Sequence, residues 1–128
     1  RYIDFVQANG TPAMYHNCGE IMQLVESYKE LGARIIEPFS PPPLGDADLQ
    51  KVKETVGGAY VILGGVDQVN VLQNGSVEDV KRATERTIRT GKPGGGFILQ
   101  SADFLEYGTP LEILWAYVET SMRFGKYS

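Results

Sequence analysis

A chain of 128 residues that is 42% hydrophobic and 22% charged, with 15 Gly and 7 Pro, has the make-up of one globular domain at most and not of a disordered, collagenous or disulfide-built chain. Its 12 Lys and Arg against 16 Asp and Glu give a formal charge of -4, spread without a basic stripe, which excludes a nucleic-acid binder. Apolar runs such as residues 60–63 are far shorter than the roughly 20 residues of a membrane helix, residues 1–10 lack the layout of a signal peptide, and the single Cys18 cannot form an internal disulfide. A cytoplasmic protein without a membrane partner is expected, and the missing initiator Met suggests a piece of a longer chain.

Four extended segments recur, each bounded by Gly, Pro, Asn or Asp and rich in aromatic or branched residues: 12–16, 34–38, 59–63 and 96–99. A helix is predicted after each. Over 19–31, Ile21, Leu24, Val25, Tyr28 and Leu31 form one stripe, with Gly32 as C-terminal cap. Asp46 or Asp48 opens a shorter helix through Glu54, with Leu49, Val52 and Val56 inward and Gly57 as stop. Ser76 with Asp79 three residues on starts a third, which ends at Gly91. Thr109-Pro110 predicts a fourth with Thr as cap and Pro as first residue, whose Trp115, Tyr117 and Phe124 are expected to pack inward. The Pro41-Pro42-Pro43 run reads as a stiff spacer and Gly94-Gly95-Gly96 as a flexible turn.

Strict strand-helix alternation predicts an α/β fold with a parallel sheet and right-handed crossovers. An open doubly wound sheet and a (β/α)8 TIM barrel both satisfy it. His16 and Cys18, Glu37, Asp67 and Asp103 all fall at or just beyond the C-terminal end of a predicted strand, where a barrel builds its site, and no G-x-G-x-x-G follows the first strand. The chain is therefore expected to be four parallel βα units, one half of a barrel, forming a single partial domain over 1–128. Half a barrel leaves open edges and an uncovered apolar face, so self-association of the isolated fragment is expected.

His16-Asn17-Cys18 pairs the best metal ligands in the chain, because side chains two apart on an extended segment share a face. Imidazole and thiolate suit zinc, which needs a third protein ligand; Asp103 is the first choice, with Glu37, Asp67 and Glu20 as substitutes. On spacing alone, a packed thiol beside a hydrogen-bonded histidine is the plainer reading.

The residues also resemble a family. His16-x-Cys18-Gly19 is similar to a barrel turn of the uroporphyrinogen decarboxylase superfamily, above all its cobamide-dependent methyltransferase branch. Leu31-Gly32-Ala33, Leu63-Gly64-Gly65-Val66-Asp67, Asn74-Gly75-Ser76-Val77-Glu78, Gly95-Gly96-Phe97-Ile98-Leu99 and Gly108-Thr109-Pro110-Leu111-Glu112 resemble that superfamily's landmarks in the same order, over nearly the whole chain. The resemblance implies the C-terminal half of a complete barrel of roughly double the length, with His16 and Cys18 as zinc ligands and Asp67 as a candidate catalytic residue. It further implies a zinc-dependent methyl transfer between a small-molecule donor or thiol acceptor and a corrinoid carried on a partner protein. Two departures stand out. Asp103 falls where the methyltransferases place a second cysteine, and Gly65 and Gln68 replace the superfamily's Asn and Pro, which implies a different loop shape there.

Two other readings remain open. Decarboxylation of a tetrapyrrole in porphyrin biosynthesis calls for Arg or Lys clamps at the barrel mouth, and no basic residue sits at a strand's C-terminal end in this chain. A noncatalytic module would use His16, Cys18 and Asp103 as fillers, and the isolated fragment need not be active in any case.

Overall fold

Residues 2–127 are described by a computed structural model. Ahead of the first strand lies a helix that the sequence reading did not anticipate, α1 (Tyr2–Ala8), which buries none of its residues fully. Strands β1 (Met14–His16), β2 (Ile35–Phe39), β3 (Val61–Val66) and β4 (Phe97–Ser101) then alternate with α2 (Tyr28–Leu31), α3 (Leu49–Val56), α4 (Val77–Gly91) and α5 (Leu111–Phe124). All strands are parallel, in the order β1-β2-β3-β4. Sequential order with right-handed crossovers sends every helix to one face, as in a barrel wall, whereas a doubly wound sheet reverses its order and splits its helices between two faces. Four units make half of the eight strands that close a barrel.

Two clusters form the core on the helix-covered face. Ile21, Val25, Tyr28, Ile36, Val52, Val56, Ile62 and Phe97 fill the larger one, and Val66, Leu72, Val80, Ile113 and Ala116 the smaller. The last residue of α4 is Gly91, where an added methyl group would sit 2.5 Å from the Phe97 ring. Side chains on the other face alternate with these: Met14 and Ile98 are about half exposed, and no helix among the described residues covers them.

The segment after β1 is not one regular helix. Ile21, Val25 and Tyr28 are buried on the stripe that the periodicity set, but the backbone winds through i+3 hydrogen bonds, Leu24 to Ile21, Tyr28 to Val25 and Glu30 to Ser27, as a 3-10 turn over Met22–Leu24 followed by the short α2. Apolar spacing selects the buried face without fixing the pitch. Asp46, reaching from the proline loop, imposes the tight start: its Oδ1 accepts from the Ile21 N–H at 2.6 Å and the Met22 N–H at 3.1 Å. Asp48 caps α3 through the Lys51 N–H, and Gly32 closes α2 at φ 75.

Ser76 and Asp79 form the reciprocal capping box at α4. At α5 the expected cap shifts by one residue, since Pro110 is the cap and Leu111 the first helical residue, while the Thr109 hydroxyl donates to the Glu106 carbonyl. Tyr117 packs against the smaller core cluster and burial pushes its hydroxyl up to about 12. Trp115 instead stays exposed, on a stripe with Leu111, Val118 and Met122.

Replacing Asp46 with Ala removes the acceptor for two part-buried N–H groups, so urea denaturation is expected to show a loss of about 1–2 kcal/mol, against a few tenths to 1 for Asp48→Ala at its exposed cap. With β1 and β4 unpaired on their outer sides among the described residues, these residues held alone are expected to self-associate at micromolar concentration; a sharp monomer in sedimentation velocity would count against it.

Candidate metal centre at the carboxyl rim

His16 ends β1, and the parallel register sets it directly opposite Glu37 on β2. Their side chains meet on the uncovered face: the imidazole Nδ1 lies 2.9 Å from Glu37 Oε1. A carboxylate can only accept, so Nδ1 carries a proton and, in the neutral imidazole, the Nε2 lone pair faces the Cys18 side chain. Gln100, on β4, donates to the other Glu37 oxygen at 3.2 Å, so the glutamate is gripped from both sides. The side chains are 52% exposed for His16 and 17% for Glu37, which makes the glutamate the anchor and the imidazole the part free to adjust.

Two residues on, the chain presents Cys18 beside that lone pair. Its Sγ is 2.7 Å from His16 Nε2 and 3.5 Å from Asp103 Oδ2. Asn17 points the opposite way, as strand alternation requires, and donates to the Tyr28 hydroxyl at 2.8 Å. Asp103 arrives from 85 residues away in sequence, two positions past the end of β4. The three residues selected as metal ligands are thus brought into contact. Glu37, held in reserve as a ligand, instead orients the imidazole; the register that makes it do so cannot be read from spacing.

Asp67 lies apart from this group. It is buried, its Oδ1 accepts from the Val69 and Asn70 N–H groups, its Oδ2 accepts from the Asn70 side chain, and it caps a π-helical segment over Gln68–Gln73. The geometry gives it the capping role.

Around Cys18, partial loss of hydration raises the thiol pKa from its ordinary value, and the hydrogen bond and charge of Asp103 and then the charge of Glu37 add to the rise. A thiol biased toward protonation is a poor nucleophile. The same negative surroundings favour a cation, whose charge would reverse the bias.

By residue type, one imidazole nitrogen, one sulfur and one carboxylate oxygen are donors that zinc accepts. Ligands about 2.0–2.3 Å from a tetrahedral ion stand roughly 3.5 Å from one another, which is the Cys18–Asp103 separation. The His16–Cys18 contact at 2.7 Å is tighter than that, and among the described residues no group of three or more His, Cys, Asp or Glu is placed so that it could hold a metal ion.

The chain matches the family described as Uroporphyrinogen decarboxylase (URO-D) over residues 1–124. It belongs to that family. A relative, the methylated-thiol–coenzyme M methyltransferase of Methanosarcina mazei, is 32% identical over 107 residues, a match that covers 84% of this chain and 26% of the relative. Among solved structures, a methyltransferase from Methanosarcina mazei superposes with a TM-score of 0.75 at 20% identity, over 96% of this chain and 34% of the other, which supports the barrel-wall fold. The chain therefore spans between a quarter and about a third of the proteins it resembles. None of the helices among the described residues is long and apolar enough to cross a membrane.

In metal-free protein, alkylation of Cys18 by iodoacetamide is expected to require more alkaline pH than a free thiol does. Asp103→Asn removes a carboxylate that disfavours the thiolate, so the midpoint should move down and the rate at neutral pH should rise. An unchanged or higher midpoint in that variant would contradict the assigned contact.

Proposed function

We propose that this chain belongs to the catalytic barrel of a zinc-dependent methyltransferase that moves a methyl group to or from a corrinoid carried by a partner protein. The convergence of His16, Cys18 and Asp103 at one rim carries the reading, and the 32% identity to a thiol methyltransferase supports it.

His16 Nε2, Cys18 Sγ and Asp103 Oδ2 would hold the ion. When bound, zinc supplies a Lewis acid that lowers the proton affinity of a thiol or polarises a methyl donor. The chain's own residues do the rest. Glu37 keeps the proton on Nδ1 and so keeps Nε2 available as a donor, Gln100 keeps Glu37 in place, and Asp103 contributes a carboxylate where the methyltransferase branch has a second thiolate. Fewer thiolates leave a harder ion, which shifts the preferred substrate.

Decarboxylation of a polycarboxylate substrate is less well supported. The rim pocket is lined by His16, Glu37, Pro38, Gln100, Ser101, Asp103 and Phe104, two carboxylates with no Arg or Lys, which would repel such a substrate.

Protein purified without chelators is expected to hold close to one zinc per chain by elemental analysis, with the metal lost in His16→Ala and Cys18→Ser. Corrinoid-dependent methyl transfer to a thiol should be abolished in the same variants. A metal-free parent protein with full methyl transfer would overturn the reading.

A further inference from the structure

Asp103 stands on the loop after β4, yet its carboxylate reaches Cys18 beyond the end of β1, three strands away. To do so the backbone must fold back over the sheet, and two residues outside the metal set make that crossing. Gly65 on β3 pairs with Gln100 on β4, and the Ala102 backbone packs against its Cα where a side chain would stand. A methyl group built onto Gly65 would stand 2.3 Å from the Ala102 Cα and 2.5 Å from its nitrogen, closer than any real side chain allows. Ser40, buried just past the end of β2, donates its hydroxyl to the Ala102 carbonyl at 3.1 Å. On the other side, the Ala102 N–H bonds to the Val66 carbonyl at 2.8 Å. Ala102 is therefore clamped at both of its backbone polar groups and wholly buried. The next residue is Asp103, whose other carboxylate oxygen accepts the Phe104 N–H at 2.8 Å and holds the side chain turned toward Cys18.

We propose that Ser40 and Gly65 form a latch that positions Asp103 for the metal, so that they are positioning residues of the site although neither touches the ion. The inference rests on the zinc reading for its ligand, but the latch itself is a property of the backbone. It also gives the Asn-to-Gly departure at position 65 a physical reason: the side chain is absent where the crossing loop needs its volume. The carboxylate at 103 and the glycine at 65 then belong to one arrangement.

The test uses Zn2+ as probe, with competition against a chromophoric chelator, in the protein carrying Ser40→Ala, Asp103→Asn or both. Groups that hold a metal ligand in position without touching the ion are worth about 10- to 100-fold in metal affinity. Ser40→Ala is expected to weaken Zn2+ by about tenfold in the parent background, and by less than about twofold when Asp103 is already Asn. An equal loss in both backgrounds, or no loss in the parent, would overturn the latch, because Ser40 would then act generally or not at all. Amide hydrogen exchange on the metal-free protein gives a second readout: Ala102 and Phe104 should exchange faster in Ser40→Ala, with the α4 amides unchanged. If the parent binds no Zn2+, the zinc reading fails by itself and the exchange result alone decides the latch, since unchanged protection at Ala102 and Phe104 would overturn it. Gly65→Ala is expected to give the same pattern more strongly, and Ser40→Ala keeps the test open if that variant does not fold.

Discussion

A parallel sheet carries its side chains in rows across the strands, and in this one the row at the carboxyl rim falls on the face that no helix covers. His16 stands beside Glu37 because β1 and β2 pair in that register. Gln100 joins the row from β4, across a β3 position where Gly65 has no side chain to intervene. Shifting any strand by one residue would turn its member of the row into the helix layer, replacing it with a core residue such as Tyr15, Ile36 or Leu99. The site is thus as stable as the register, and the register is held by Ile36, Ile62 and Phe97 on the opposite face.

The chemistry of the rim follows from its charge. Two carboxylates, Glu37 and Asp103, flank one imidazole and one thiol, and among the described residues no cationic side chain lines the pocket. For the thiol this environment works against ionisation. For a divalent cation the same field is favourable, and the protonated Nδ1 leaves Nε2 ready to donate. Exposed His16 and Cys18 can adjust, whereas Glu37 is largely covered and the Ala102 crossing is buried, so the rim combines two exposed side chains with a carboxylate delivered by a clamped loop.

Much of this was legible in the sequence, for reasons that differ from residue to residue. The cap at Ser76, the cap of α3 at one of the two candidates Asp46 and Asp48, and the stop at Gly32 rest on local hydrogen bonds and backbone freedom, which residue type announces directly. The pairing of His16 and Cys18 also follows from local alternation. Asp103 could be selected because strand ends share a rim. The broken helix after β1 was not legible, because its pitch is set by Asp46 from a loop more than twenty residues away. Nor was the exposure of Trp115, since an apolar residue at helical spacing does not reveal whether its facing partner is present.

By itself the sequence determined the alternation of strands and helices, the family, and the residue types capable of holding a cation, all of which depend on neighbours within a few positions or on motif order. It took the folded arrangement to set Glu37 against the imidazole, to make Asp67 a cap, and to carry the loop after β4 across Gly65 under the grip of Ser40. Those outcomes depend on strand register and on contacts between segments as many as 62 residues apart, where the identity of a residue says what bonds it can make and only the fold says which partner comes within reach.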